Sequence, residues 1–191
     1  FMSYASKESG SIGFMSQSGG NTMQLVPMAS ARGIHFSKVI SYGNACDLDE
    51  VDFLDYLMHD TETEVIAAYI EGVKRGQRFF QLLREAAEVK LVIILKGGRS
   101  EAGGRAIASH TGSLAGDKAI WDIICHQAGA VQACDLEELC DLMVAFLRVG
   151  LPKGRRVGII GMGGGQSVQA ADNCEGAGMI VPVFPPEIRQ R

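Results

Sequence analysis

The composition of the chain favours a packed, water-soluble domain and excludes several classes of function. Of its 191 residues, 47% are hydrophobic and 21% are charged, a balance typical of a globular core and not of a disordered chain. A net charge of -4 and an aromatic content of 7% provide neither the basic surface nor the stacking rings used to bind nucleic acid. No apolar run approaches the roughly 20 residues of a membrane span, and the first residues do not resemble a signal peptide. We therefore expect a cytoplasmic protein with no nucleic acid and no membrane partner.

Cysteine usage agrees with that compartment. The five cysteines are Cys46, Cys125, Cys134, Cys140 and Cys174. An odd number without a Cys-x-x-Cys pair argues against both a disulfide framework and a zinc site. We expect reduced thiols, several of them in the core, and no bound metal.

Short apolar runs alternate with amphipathic segments along the first 150 residues. The predicted strands cover 11–15, 37–41, 65–70, 91–95 and 130–131. Asp47 with Glu50 predicts a capping box for the helix after the second strand, and Asp135 with Glu138 predicts the start of the last helix of this region. The alternation indicates an α/β fold with a doubly wound, mostly parallel sheet.

Two later segments depart from this alternation. Residues 96–113 are rich in glycine and small polar residues and lack periodicity, which predicts a long functional loop before a helix that resumes near Leu114. Residues 151–154 resemble a linker. Beyond them, predicted strands at 157–160 and 179–181 flank a helix, so we expect 1–150 to form one domain and 151–191 a linker with the truncated start of a second.

The carboxyl ends of parallel strands share one edge, where ligands of such sheets bind. Three segments fall there: 16–20, 71–72 and the loop 96–113. The sequence Ser16-Gln17-Ser18-Gly19-Gly20 joins a strand to a helix, and it suits either an anion at the helix N-terminus or a tight turn with serine caps. It matches neither the Walker motif nor a nucleophile elbow. The glycine turn at 161–165 is a weaker case, and a structural turn explains it better.

His110 stands apart from the other histidines because it lies in the loop at this edge. A neutral imidazole is a competent nucleophile near pH 7 when one nitrogen is free and an acceptor holds the other. Glu71, at the end of a neighbouring strand, could be that acceptor. The alternative is an exposed loop histidine beside a strand-terminal glutamate.

A family resemblance covers about residues 10–150. The motifs that carry it are Ser16-Gln17-Ser18-Gly19-Gly20, Tyr42-Gly43-Asn44, Tyr69-Ile70-Glu71-Gly72, Lys96-Gly97-Gly98-Arg99-Ser100 and Ser109-His110-Thr111-Gly112-Ser113-Leu114-Ala115-Gly116. In this order they resemble the ADP-forming acetyl-CoA synthetases, relatives of succinyl-CoA synthetase. The resemblance implies a flavodoxin-like domain of an acid–thiol ligase.

The same resemblance implies roles for individual residues. His110 would carry a phosphoryl group, and Glu71 would hydrogen-bond its other ring nitrogen. The phosphoryl ligands would be Ser16, Ser18, Gly19 and Gly20, with Ser109, Thr111 and Gly112 from the histidine segment. The amides and hydroxyls fit a group whose negative charge must be stabilised.

The family interconverts acyl-CoA, ADP and phosphate with the free acid, CoA and ATP. The resemblance therefore implies CoA and ATP or ADP with Mg²⁺ as substrates of the intact enzyme, and none held tightly here. It also implies a CoA-binding domain, an ATP-grasp domain or subunit, a small acid as substrate, and an oligomer. Two other functions stay open: an acyl-CoA-responsive regulatory domain, as in related protein acetyltransferases, and a flavodoxin-like flavin binder.

Overall fold

The computed structural model describes residues 8–111, 118–149, 152–161 and 163–189. The chain divides into two compact units, Phe1–Val149 and Gly150–Arg191. The first contains the sheet and the predicted site.

The first unit is built on a parallel sheet. Its strands are β1 (Ile12–Ser16), β2 (Phe36–Ser41), β3 (Val65–Ile70), β4 (Leu91–Lys96) and β5 (Val131–Ala133). Within the described residues, every pairing is parallel and the strand order is β2-β1-β3-β4-β5. This is the doubly wound, flavodoxin-like order, which confirms the predicted fold class.

Helices connect the strands and cover both faces of the sheet. They are α1 (Gly19–Ala31), α2 (Glu50–His59), α3 (Gly76–Val89), α4 (Glu101–Thr111), α5 (Lys118–Ala128) and α6 (Leu136–Arg148). Among the helices described, none combines the length and apolarity that a membrane crossing requires.

The core consists of two apolar layers, because successive strand residues point to opposite faces. On one face Met15, Ile66 and Ile94 pack against α2, α3 and α5. On the other face Phe14, Ala67 and Ile93 pack against α1 and α6. Each fully buried aliphatic or aromatic side chain contributes about 1.5–3 kcal/mol. This packing fixes the strand ends from which the site residues emerge.

The helix starts agree with the sequence in one case and not in another. Asp135 caps α6 as predicted, since its side chain accepts from the Glu138 amide. The predicted capping box of Asp47 and Glu50 is wrong: Asp49 caps α2, and Asp52 completes the box. The two acidic pairs, Asp47 with Glu50 and Asp49 with Asp52, have the same spacing of three residues. Asp49 is preferred because capping also places it beside Arg75, with 2.7 Å between its Oδ2 and Arg75 Nε.

The predicted loop at 96–113 is also wrong in most of its length. Of the described residues of this loop, 97–100 are irregular and Glu101–Thr111 form α4. Ser100 Oγ accepts from the Gly103 amide over 3.1 Å, and Arg105 pairs with Glu101 one turn away over 2.6 Å. Both contacts stabilise the helix start. Among the side chains of α4 that the structure describes, most are small and Ile107 is the one large buried side chain, so the sequence shows no helical periodicity.

The second unit contains α7 (Gly164–Gly176) and α8 (Pro186–Arg189). The strands predicted at 157–160 and 179–181 do not form. In their place the described residues show a single parallel bridge between Arg156 and Ile180. With one bridge and no strand among the described residues of this unit, the two segments have no neighbouring strands to stabilise a longer ladder.

Candidate functional site

The ends of three neighbouring strands, β1, β3 and β4, lie side by side at one edge of the sheet. Ser16 is in register with Tyr69, and Ile70 with Lys96. Backbone bonds continue the ladder one step past the strands, from Gln17 N to Tyr69 O at 3.1 Å and from Gly97 N to Ile70 O at 2.9 Å. The turn 16–20, Glu71–Gly72 and the segment 97–100 therefore leave the sheet side by side.

The turn after β1 prepares the N-terminus of α1. Ser18 is the N-cap, and its Oγ accepts from the Asn21 amide over 3.2 Å. Gly19 and Gly20 are exposed and open the helix, where the first amides have no acceptor inside the helix. The first turn contains no acidic residue. Exposed amides and the helix dipole together favour an anion at this position.

The two serines of this turn differ in their surroundings. Ser16 is fully buried, and its Oγ accepts from Ser18 N over 3.0 Å and donates to Ser18 O over 2.9 Å. Ser18 is only partly buried. Ser16 therefore shapes the turn, whereas Ser18 lies where a ligand could reach it.

Glu71 is a buried acidic residue at the end of β3, with 6% of its surface exposed. The Tyr69 hydroxyl donates to its Oε1 over 3.2 Å. Its backbone is held from both sides, since its amide donates to Gln17 Oε1 and its carbonyl accepts from Lys96 Nζ over 2.7 Å. The carboxylate thus belongs to a residue whose backbone amide and carbonyl are both held by side chains.

Lys96 is a buried basic residue at the same edge, with 4% exposure. Besides Glu71 O, its Nζ donates to Gly97 O and lies 5.4 Å from the centre of the Trp121 ring. Burial lowers the pKa of Lys96 to about 8, although the charge of Glu71 opposes the shift. A charged lysine in this position needs the two carbonyls and the ring to offset its lost hydration.

A second polar cluster fastens the segment 42–49 to the chain beyond β3. Arg75 binds Asp49 with two nitrogens and also reaches Asp52 over 2.7 Å. Glu50 Oε1 accepts from the Lys74 amide over 3.0 Å, and Lys74 Nζ donates to Ala45 O over 2.7 Å. These contacts fix the segment containing Tyr42 beside the edge.

The histidine segment begins with Ser109 in the last turn of α4, and residues 97–100 join that helix to β4. Ser109 is exposed, and its Oγ donates to Ala106 O over 2.8 Å. The backbone of His110 and Thr111 closes α4. The side chains of His110 and Thr111, together with Gly112, lie outside the described part of the chain. The roles predicted for these residues therefore stay predictions.

Sequence reasoning missed Gln17 and Lys96 as site residues. Both stand in the family motifs without a predicted role, because each acts on the backbone of Glu71, which is distant in the sequence. Their polar character at the end of apolar strands was the available signal, since buried polar side chains require partners. Among the described residues, no group of three or more His, Cys, Asp and Glu could hold a metal ion.

The sequence matches the succinyl-CoA ligase like flavodoxin domain family over residues 9–146. Two relatives are the acetate–CoA ligase [ADP-forming] II subunit alpha of Pyrococcus furiosus, 42% identical over 94% of this chain and 38% of that protein, and the acetate–CoA ligase [ADP-forming] I of Archaeoglobus fulgidus, 39% identical over 93% of this chain and 26% of that protein. The chain thus spans less than two-fifths of the length of either relative.

A solved structure gives the same assignment. The dinucleotide forming acetyl-coenzyme A synthetase 1 of Ca. Korarchaeum cryptofilum, in complex with phosphate and ADP, superposes with a TM-score of 0.88 at 36% identity, over 97% of this chain and 41% of that chain. With the strand order, the edge geometry and the matched residues in agreement, this chain belongs to the family of succinyl-CoA ligase like flavodoxin domains.

Proposed function

We propose that this chain is the phosphohistidine-carrying domain of an ADP-forming acid–CoA ligase, with His110 as the carrier. The observation that carries the proposal is the juxtaposition of the α1 amides at Gly19 and Gly20 with the buried Glu71 at one sheet edge. The first element suits a phosphoryl group and the second suits the imidazole that bears it. The names of the relatives, which are acid–CoA ligases, support the same chemistry.

The α1 N-terminus stabilises the phosphoryl oxygens. The amides of Gly19 and Gly20 donate to them, and the Ser18 hydroxyl adds a donor on the same side. Ser16 contributes by holding the turn through its two bonds to Ser18. Charge-assisted bonds to a dianion are about twice as strong as neutral ones, so a few amides suffice to retain the group.

The transfer proceeds in two balanced steps. One ring nitrogen of His110 attacks the phosphorus of an acyl phosphate, the bond from phosphorus to the acyl oxygen breaks, and the acid leaves as its carboxylate. ADP then attacks the same phosphorus, the phosphorus–nitrogen bond breaks, and ATP forms. Glu71 accepts a hydrogen bond from the other ring nitrogen and so stabilises the positive charge on the ring in the phosphorylated state.

The remaining parts of the reaction belong to other parts of a longer protein or to a partner chain. We assign CoA binding to a CoA-binding domain and the nucleotide, accompanied by Mg²⁺, to an ATP-grasp domain or subunit. Ser109, Thr111 and Gly112 are further ligands of the phosphoryl group on His110. A cytoplasmic location and an oligomeric assembly complete the proposal.

The test incubates the intact protein with γ-labelled ATP and Mg²⁺ and looks for an acid-labile, base-stable phosphoprotein. We expect labelling of the wild type, none in His110→Ala, and a short-lived label in Glu71→Gln. A regulatory domain of the acetyltransferase type predicts no label in the wild type. Persistent labelling of His110→Ala would contradict the assignment of the carrier residue.

A further inference from the structure

The Gln17 side chain connects the α1 turn to the end of β3. Gln17 is buried, with 7% exposure. Its Oε1 accepts from the amides of Glu71 and Gly72, the latter over 3.0 Å, and its Nε2 donates to Gly72 O over 3.1 Å. An amide side chain can make about four hydrogen bonds, and three of those of Gln17 are to Glu71 and Gly72, the two residues directly after β3.

These bonds replace a sheet ladder that cannot continue. Beyond Ser16 the chain turns into α1, so β1 offers β3 no backbone partner past the bond from Gln17 N to Tyr69 O. Glu71 and Gly72 are nevertheless buried, and buried backbone groups require partners. The Gln17 amide supplies them from within the turn itself.

Lys96 holds the same peptide from the opposite side. Its Nζ donates to Glu71 O over 2.7 Å. Gln17, directly after β1, therefore holds the amide of Glu71, and Lys96, at the end of β4, holds its carbonyl. Gln17 differs from Lys96 in its position. It lies between Ser16 and Ser18, and any shift of the α1 turn is therefore passed to Glu71 through one rigid amide.

We propose that Gln17 is a positioning residue that sets the Glu71 carboxylate relative to the α1 amides. This inference rests on the proposed function, in which a phosphohistidine contacts both elements at once. Gln17 touches neither the imidazole nor the phosphoryl group in this role. It keeps their two binding elements in register, and small displacements of such elements reduce their effect strongly.

The experiment is a double-mutant cycle on the intact protein, labelled with γ-labelled ATP and Mg²⁺. Gln17→Met retains the size of the side chain and removes its hydrogen bonds. Glu71→Gln and the Gln17→Met, Glu71→Gln double variant complete the cycle. Ile12→Val, at the other end of β1, is the matched control for lost stability without contact with Glu71. The readout is the lifetime of the label after the nucleotide is removed.

We expect Gln17→Met to shorten the lifetime about tenfold in the wild-type background and less than twofold in the Glu71→Gln background, because coupled residues are not additive. Ile12→Val should keep the wild-type lifetime. The positioning role is overturned if Gln17→Met leaves the lifetime of the label unchanged or shortens it equally in both backgrounds. It is also overturned if Ile12→Val shortens the lifetime as much as Gln17→Met does. Gln17→Asn, one methylene too short for the three bonds, serves where Gln17→Met does not fold. A wild type without label, or a labelled His110→Ala, overturns the proposed function instead.

Discussion

The Tyr69 hydroxyl donates to Oε1 of Glu71, and Gly97 lies against both side chains. A Cβ at position 97 would be 2.5 Å from Tyr69 Oη and 3.4 Å from Glu71 Cγ. Burial, reinforced by the charge of Glu71, raises the pKa of Tyr69 to about 12. The hydroxyl therefore remains a donor across the neutral range, and a glycine at 97 is required for it to reach the carboxylate.

Gly97→Ala tests this arrangement. The added methyl group must displace the Tyr69 ring, because contacts below 3.0 Å are not tolerated. We expect a shorter lifetime of the phosphorylated protein, measured as decay of the label from γ-labelled ATP. Gly76→Ala is the control, since a Cβ there meets nothing within 4 Å. A Gly97→Ala label as durable as that of Gly76→Ala would show that the Tyr69 contact does not matter to Glu71.

Lys96→Met should change how stability depends on pH. The pKa of Lys96 falls from 10.5 to about 8 on folding, so between these values the unfolded chain binds the extra proton and stability rises with pH. The stabilising contribution is complete above 10.5 and is lost as the pH falls through 8. We expect the wild-type free energy of unfolding, minus that of Lys96→Met, to increase by about 2 kcal/mol from pH 7.5 to 10.

Urea denaturation of the 191-residue chain at several pH values measures this difference. Subtracting the two free energies of unfolding cancels the contributions of titratable groups that both proteins share. One such group is Cys125, since burial raises the pKa of its thiol to about 11. A difference that is flat between pH 7.5 and 10 would show that Lys96 is as hydrated in the folded chain as in the unfolded one.

Glu50→Gln is expected to stabilise the fold at neutral pH. Glu50 is fully buried, and burial raises its pKa. Among the described residues, its Oε2 and the Tyr42 hydroxyl have no hydrogen-bond partner. A raised pKa means that the stabilising contribution is complete below 4.5 and is lost as the pH rises through the folded-state pKa. The neutral amide avoids this loss and adds a donor.

We expect a gain of about 1 kcal/mol at pH 7.5 that disappears below pH 4, measured by urea denaturation. Glu50→Ala is the contrasting variant. It should be less stable at every pH, because it leaves the Lys74 amide without its acceptor and opens a cavity. A Glu50→Gln protein less stable than the wild type at pH 7.5 would mean that the carboxylate is ionised and stabilised in the folded chain.

The sequence predicts the sheet better than it predicts the site. Runs such as 65–70 and 91–95 are apolar on both faces, which identifies buried parallel strands from local pattern alone. The start of α2 is harder to predict, because Asp47 and Asp49 each have an acidic residue three positions later. The contact of Asp49 with Arg75, which is distant in the sequence, distinguishes the two candidate caps. α4 is missed because helices of small residues have no apolar stripe. The hydrogen bonds of Gln17 and Lys96 to the backbone of Glu71 connect the ends of three strands. No local sequence pattern encodes such contacts.

Ser18 offers a test that separates capping from anion binding. Ser18→Ala removes the acceptor of the Asn21 amide and should cost about 1 kcal/mol of stability. Ser18→Asp and Ser18→Asn retain the cap, and the aspartate also interacts favourably with the helix dipole. Thermal denaturation should therefore give both variants a melting temperature near that of the wild type.

The aspartate of Ser18→Asp nevertheless puts a negative charge where the phosphoryl oxygens would bind, and two like charges a few ångströms apart repel by about 1–4 kcal/mol. Labelling by γ-labelled ATP should therefore fall about tenfold or more in Ser18→Asp and persist in Ser18→Asn. Equal labelling of the two variants would mean that the α1 N-terminus does not receive the phosphoryl group, because a charge at its cap would then be without effect.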